Sequence, residues 1–376
     1  MELSNYKLRE LIKIKNGKDH KNLNDGIYPV FGSGGVMRYV DSFLYNKPSV
    51  LLPRKGTLNN IQYADKAFWT VDTLYYTEVN EKKVNAYYLY NYLKLLDLSN
   101  LDSGTGVPSM TFDSYYNLTV KLPSLEIQNK VAKSLSHIDK KISINRQINR
   151  NLEELAKQIY DYWFVQFDFP NEEGKPYKSS GGKMVYNELL KREIPIGWEV
   201  KLLKNVIEIK RGITITEKQT TSGNIKVVAA GLTYSYLNGE SNRSANCITV
   251  SGSGANAGFV NFWREPIFAS DCSTIQFDND IDTILCYHTL KKQEKRFYQI
   301  SHKSAQPHVL PSDIGEIPMV IPSNNIKERI THFFIKTNKQ IAENTKELEH
   351  LITLRDKLLP LLMNGQVTLN SCLSAD

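Results

Sequence analysis

Residues 125–164 read LEIQNKVAKSLSHIDKKISINRQINRNLEELAKQIYDYWF. The stretch has helical periodicity and almost no glycine or proline. Ile138, Ile142, Asn145, Asn149, Leu152, Ala156, Ile159 and Trp163 succeed one another at steps alternating four and three, the spacing of a coiled-coil seam. A second stretch, 324–363, carries the same seam at an offset of 199: Thr337, Ile341, Asn344, Leu348, Leu351, Arg355, Leu358 and Leu362. This seam is less pure at Thr337 and Arg355. Both copies place asparagine at one matching position, Asn145 and Asn344. A polar seam residue costs stability but fixes register. Two separate amphipathic helices, each packed on its own domain, would also fit. The matched phase favours pairing. At ~1.5 Å per residue such a helix is about 60 Å long, more than a small domain's core needs. The expectation is an antiparallel pair that spaces two domains, with Asn145 facing Asn344 near a pseudo-twofold axis.

Outward from the helices, the rest of the chain also occurs twice. Leu8, Leu11, Ile12, Ile14, Lys15 and Gly17 return as Leu203, Val206, Ile207, Ile209, Lys210 and Gly212, an offset of 195. Val50, Leu52 and Gly56 match Ile248, Val250 and Gly254 at 198. Asp72 matches Asp271, Pro108 matches Pro307, and Leu122-Pro123 matches Ile321-Pro322, all at 199. The small drift is what loop insertions cause. Each copy opens with about 120 residues of short β-like runs between glycine-rich turns, and then enters its helix at Pro123 or Pro322. Between the copies, Pro170, Gly174, Pro176, Gly181, Gly182 and Pro195 give residues 168–198 the composition of a linker. The fold class expected is α+β: two β-rich globular domains (1–123 and 199–322) and two long helical regions (124–167 and 323–376). The aromatic run Tyr160, Tyr162, Trp163, Phe164, Phe167 and Phe169 closes the first helix. It reads as packing where the helix meets its neighbouring domain, or else as a partner patch.

The 376 residues are 41% hydrophobic, enough for real cores, and 10% aromatic, which suits strands. A formal charge of +7 is compatible with phosphate partners but weak evidence alone. Cys247, Cys272, Cys286 and Cys372 form no CxxC pair, so no structural zinc is expected. The polar start lacks an apolar leader core, and no apolar run reaches ~18 residues, so a cytoplasmic protein without membrane contact is expected.

Catalytic motifs are missing. An amino-methyltransferase needs a Pro-Pro-aromatic motif, and the chain has no Pro-Pro dipeptide. There is no GxxxxGK[ST] and no Pro-Asp…Glu/Asp-x-Lys nuclease pattern. Gly252–Gly258 is glycine-rich but lacks GxGxxG spacing, and Phe259–Phe268 reads as strand rather than helix. His302 and His308 have no triad partners. DNA-binding candidates do appear. The loop Arg54-Lys55-Gly56-Thr57-Leu58-Asn59-Asn60 offers cations able to read guanine and amides able to read adenine, or it is a solvated turn. Its counterpart offers only Ser253 and Asn256. Thr105 lies in one polar loop, and Lys303, Gln306 and His308 in the matching one. Lys18, His20 and Lys21 follow the first strand, and Lys218 and Gln219 sit similarly in the second copy; these read as phosphate contacts that position without specifying, and Arg38 is a further DNA-binding candidate.

Several stretches resemble landmarks of the specificity (S) subunits of type I restriction–modification systems. They are YPVFGSGGVMRYVDSF (28–43), VLLPRKGTLNNIQYADKAFWTVDTLYY (50–76), ITVSGSGANAGFVNFWREPIFASDC (248–272), IPIGWEVKLL (194–203) and LITLRDKLLPLLMNGQV (351–367). Together, in order and on a duplicated plan, they span essentially the whole chain. The resemblance implies a non-catalytic DNA-recognition subunit whose two target-recognition domains are each succeeded by a helical region. Its partners would be double-stranded DNA, two methyltransferase (M) subunits, and restriction (R) subunits joined through them. S-adenosylmethionine, ATP and Mg would belong to those partner subunits, with no cofactor in this chain. Two domains on a spacer can read half-sites about one DNA turn, ~34–36 Å, apart. Two other readings stay open: the recognition chain of a type II-like multi-subunit enzyme, and a coiled-coil adaptor that binds only proteins.

Overall fold

The computed structural model describes residues 2–98, 109–301 and 307–367. It divides into two compact units, Met1–Ile144 with Leu348–Asp376, and Asn145–Glu347. The first unit contains strands β1 (Ser4–Lys7), β2 (Ile12–Lys15), β3 (Asp25–Gly32), β4 (Gly35–Val40), β5 (Ser49–Pro53), β6 (Gln62–Ala64), β7 (Trp69–Thr70), β8 (Leu74–Val79) and β9 (Thr119–Leu122). Helices α1 (Ala86–Lys94) and α2 (Phe112–Tyr116) precede β9, and the long helix α3 (Leu125–Tyr160) comes after it. The second unit contains the hairpin β10 (Met184–Asn187) and β11 (Arg192–Pro195). It continues with β12 (Glu199–Leu202), β13 (Lys210–Arg211), β14 (Ile225–Val228), β15 (Tyr236–Asn238), β16 (Cys247–Ser251), β17 (Val260–Trp263), β18 (Ile267–Ala269), β19 (Cys272–Ile275) and β20 (Pro318–Ile321). Helices α4 (Asp280–Lys291), α5 (Glu294–Ser301) and α6 (Pro311–Gly315) lie before β20, and α7 (Asn324–Met363) lies after it.

The sheets repeat strand for strand. The first unit has orders β2-β8-β5-β6, β4-β3-β7 and β1-β9; the second has β13-β19-β16-β17, β15-β14-β18 and β12-β20. Even the parallel pair β3–β7 recurs as β14–β18. The central strands SVLLP (49–53) and CITVS (247–251) are buried at every residue, the pattern of a strand covered on both faces. The hydrogen bond from Leu8 N to Leu118 O, 2.9 Å, has its copy from Leu203 N to Ile317 O, 2.9 Å. Cys247 on β16 and Cys272 on β19 are buried, and burial pushes each thiol up to about 12. Both behave as small hydrophobes.

Each globular part is less purely β than the sequence suggests. AYYLYNYLK (86–94) is rich in tyrosine, which favours strands, yet it is helix α1. The Asn85 side chain caps it by accepting from Tyr88 N, and Ala86, Tyr88, Leu89 and Leu93 go into the core. Asn279 caps α4 in the same way through Asp282 N. Tertiary burial and a cap override the strand propensity.

Residues 168–198, expected to be a linker, are folded onto the second unit. After Val165 the chain turns at Phe167, whose φ of +65° is unusual for a non-glycine residue. The buried Phe167 ring meets Trp198 edge-on at 5.6 Å, and the Arg192 guanidinium lies 4.7 Å from the Phe167 ring centre. Phe169 stacks on Trp198 at 5.0 Å and on Tyr177 at 4.6 Å. The Asp168 carboxylate accepts from Ser179 N and Ser179 Oγ, both at 2.7 Å. Gly174 and Gly181 have positive φ, as tight turns require. The aromatic run at the end of α3 is core: Tyr160, Phe164, Phe167 and Phe169 are all buried with Trp198.

The long helices pair inside each unit. In the first, Leu359, Leu362 and Met363 of α7 join Val131 and Leu135 of α3 in one core, and Arg355 pairs with Asp139 at 3.1 Å. In the second, Asn145 Nδ2 donates to Glu347 Oε2 at 2.7 Å, Asn344 Nδ2 to Asn149 Oδ1 at 2.9 Å, and Asn149 Nδ2 to Thr345 Oγ1 at 3.2 Å. Rising numbers on α3 meet falling numbers on α7, so these segments run antiparallel. Of the seam positions, Ile142, Asn145, Ile341, Asn344 and Leu351 are buried, while Ile138, Leu152, Ile159, Leu348 and Leu358 are half-buried. The expected Asn145–Asn344 contact does not form. Setting Asn149 beside Asn344 centres the symmetric register on Gln147 and Lys346, two residues or about half a helical turn from the expected position. The seam phase is readable in the sequence; the register depends on how both helices pack. Asn344→Leu alone should cost about 1–2 kcal/mol in chemical denaturation, because it strands the Asn149 carbonyl. Adding Asn149→Leu should recover most of that loss. A neutral single variant would show that the asparagine pair contributes nothing.

Candidate nucleic-acid interface

In the first unit, four connections meet at one edge: the end of β2, the β3–β4 turn, the β5–β6 loop and the β7–β8 turn. Gly17 lies just past β2, where the chain presses on the β7–β8 turn; an added Cβ would lie 2.0 Å from Val71 O. Lys18 N then donates to Thr70 O at 2.8 Å. Asn60 Nδ2 donates to Ser33 O at 2.5 Å and Gln62 Nε2 to Gly32 O at 2.8 Å, which ties the β5–β6 loop to the β3–β4 turn. Arg54 N donates to Thr73 O at 2.9 Å, and Met110 N to Arg54 O at 3.0 Å.

The second unit keeps this frame. Gly212 stands where Gly17 does, its missing Cβ 1.9 Å from Ser270 O. Ile213 N donates to Ala269 O at 2.9 Å, as Lys18 N does to Thr70 O. Gly56 and Gly254 both have positive φ, +89° and +72°, which a side chain would strain. The Lys55–Ser109 bridge recurs as Ser253–His308, and Met110 N to Arg54 O recurs as Val309 N to Gly252 O, 3.0 Å. One backbone frame therefore carries different side chains: Arg54-Lys55 in one unit, Gly252-Ser253 in the other.

The candidates fall unevenly on this frame. Lys18, Lys55, Thr57 and Asn59 are exposed on the first unit, and Lys218 and His308 on the second. Arg54 is half-buried; its Nη1 donates to Asp72 O at 3.3 Å and its guanidinium lies 6.0 Å from the Tyr75 ring centre. Arg54, Lys55, Asn16, Tyr75 and Thr111 line a cavity of about 370 Å³. Burial raises the Tyr75 phenol above its ordinary value while the nearby Arg54 charge opposes the rise. The Asn59 carbonyl accepts from Leu98 N at 3.2 Å, so half of its amide is already engaged. Ser253 Oγ is bound to the Asp271 carboxylate, and Asn256 sits half-buried in the turn Gly254–Asn256. Arg38 is half-buried; its guanidinium donates to Asp25 at 2.8 Å and to Leu23 O at 3.1 Å. Thr105, Lys303 and Gln306 lie outside the described residues. Sequence reasoning missed Asn16, Tyr75 and Thr111, which reach the Arg54 cavity only through the sheet order.

Residues 2–154 and 195–353 match the family model for the type I restriction modification DNA specificity domain. The chain belongs to this family. It is 22% identical over 350 residues to the type I restriction enzyme MjaIX specificity subunit of Methanocaldococcus jannaschii, covering 86% of this chain and 78% of that one. It is 24% identical over 353 residues to the HindI specificity subunit of Haemophilus influenzae, covering 73% and 74%. The crystal structure of the S subunit from M. genitalium superposes with a TM-score of 0.70 over 96% of each chain at 17% identity, a likeness of fold. Specificity subunits of this family are the DNA-recognition components of their systems, and this chain has that role. Neither a type II-like recognition chain nor a protein-only adaptor finds support among these matches. Among the described residues no helix is long and apolar enough to cross a membrane.

Proposed function

We propose that the two units each read one half of an asymmetric, bipartite DNA target, and that the chain itself is non-catalytic. The observation that supports this reading is the shared frame with unlike side chains: Gly17/Gly212 and Gly56/Gly254 hold the same loops, which present Arg54-Lys55 on one unit and Gly252-Ser253 on the other. Two readers of one design but different chemistry suit two unlike half-sites. By this reading the helices α3 and α7 dock two methyltransferase subunits, through which restriction subunits join. S-adenosylmethionine, ATP and Mg act in those partners. By this reading the purified chain transfers no methyl group and cuts no DNA; measurable S-adenosylmethionine turnover by the chain alone contradicts it.

The test uses the chain with its methyltransferase partner. Arg54→Ala with Lys55→Ala should weaken binding to the cognate duplex. If Arg54 reaches a base edge, the loss is about 1–3 kcal/mol and discrimination relaxes at one position of one half-site. If Lys55 and Arg54 meet phosphates, the loss is uniform across sequences and the salt dependence becomes shallower. Unchanged affinity and unchanged salt slope place this edge away from DNA.

A further inference from the structure

The β3–β4 hairpin ends in the turn Gly32-Ser33-Gly34-Gly35, where Gly35 has a φ of +121°. Just past the turn its pairing slips: Val30 faces Arg38, but Phe31 faces Val36, so Met37 is the extra residue of a β-bulge. An unbroken strand sends neighbouring side chains to opposite faces. The bulge removes that constraint, and Val36 and Met37 are both turned outward, 48% and 59% exposed. Met37 rests its sulfur over Gly32, where an added Cβ would come within 2.6 Å. This is the same turn that Asn60 and Gln62 tie to the Arg54-Lys55 loop. Two apolar side chains therefore project from the edge that also exposes Lys55 and Lys18.

The second unit also exposes apolar residues at its corresponding connection, without a bulge. Between β14 and β15 its corresponding connection exposes Leu232 and Tyr234, 58% and 41%, and Leu232 lines a groove with Asn256 of the loop matching Arg54–Asn60. The backbone frame is shared, the apolar residues differ, and Leu232, like Val36 and Met37, stands beside a reading loop. A duplex offers few apolar targets outside its stacked base faces. One is the thymine methyl group, which lies in the major groove, and that groove admits a two-stranded ribbon such as β3–β4.

The geometry points to Val36 and Met37 as specificity-determining residues that contact a thymine methyl group in the major groove of the half-site read by the first unit. This assignment rests on the recognition role argued above. Leu232 and Tyr234 are the corresponding pair on the second unit.

The experiment takes the chain with its methyltransferase partner and a duplex carrying the methylated motif, and replaces each thymine in turn by uracil, which lacks only the methyl group. At one position of the first unit's half-site, uracil should weaken binding about fourfold, the worth of one buried methyl-sized group. In a variant with Val36→Thr and Met37→Gln, the thymine duplex should bind about as weakly as the uracil duplex, and the uracil effect should vanish. Both residues are surface-exposed, and an unchanged thermal midpoint verifies that the variant is folded. Absence of any uracil-sensitive thymine in that half-site overturns the assignment. So does a variant that keeps the full uracil effect, or one that binds duplex normally but loses its hold on the methyltransferase, which would make this a protein surface. If the unaltered complex shows no sequence-specific binding at all, the recognition role itself fails, and this assignment with it.

Discussion

Trp198→Ala should destabilise the second unit by about 3–5 kcal/mol, the range for truncating a buried aromatic. Trp198 is 6% exposed and touches three rings: Phe164 at 5.6 Å, Phe167 at 5.6 Å and Phe169 at 5.0 Å. Those rings anchor the end of α3 and the whole excursion 168–198. Removing the indole opens a cavity among side chains whose backbone, bent at Phe167, cannot easily collapse into it. A loss of this size is a large fraction of a domain's usual ~5–15 kcal/mol. Because the two units need not unfold together, amide hydrogen exchange is the proper readout. Protection should fall in β16, β19 and α4 and stay unchanged in β5 and β8. Trp198→Phe should retain most of it. Full protection in the alanine variant would mean that 168–198 is a loose linker after all.

The largest functional change should come from exchanging the first recognition domain. Replacing residues 1–123 with the corresponding domain of another family member should rewrite one half of the methylated motif and leave the other half as it was. The physical basis is the independence of the two sites: the loops around Gly17, Arg54 and Ser33 draw their hydrogen bonds from within the first unit, and those around Gly212, Ser253 and Asp271 from within the second. Sequencing that maps methylated adenines reads the outcome. A motif altered in both halves would show that the sites are coupled.

The duplication is legible because backbone constraints leave marks on sequence. Gly17 and Gly212 are glycine because a carbonyl oxygen stands where Cβ would be, and Gly56 and Gly254 because φ is positive. The seams of α3 and α7 are legible because helical spacing determines which residues can face one side. The features that escape depend on partners distant in sequence. α1 is tyrosine-rich and helical only because of its cap and its core contacts. Arg38 can be named as a candidate cation, but its ion pair with Asp25 depends on how the hairpin pairs. The Asn149–Asn344 pairing comes from a register that neither helix encodes alone. Among the site residues, the cations and loop amides can be named from composition. Val36 and Met37 cannot, since their shared outward direction comes from a bulge visible only once the strands are paired.

The most direct test of the recognition role is the host's methylome with and without this chain. With it, methylated adenines should fall within one bipartite motif: two unlike half-sites separated by a fixed unread gap. Deleting the gene for this chain alone, with the methyltransferase still present, should erase methylation at that motif and leave other modified sites unchanged. A motif that survives the deletion, or a methylome with no bipartite motif that depends on this chain, would contradict the account.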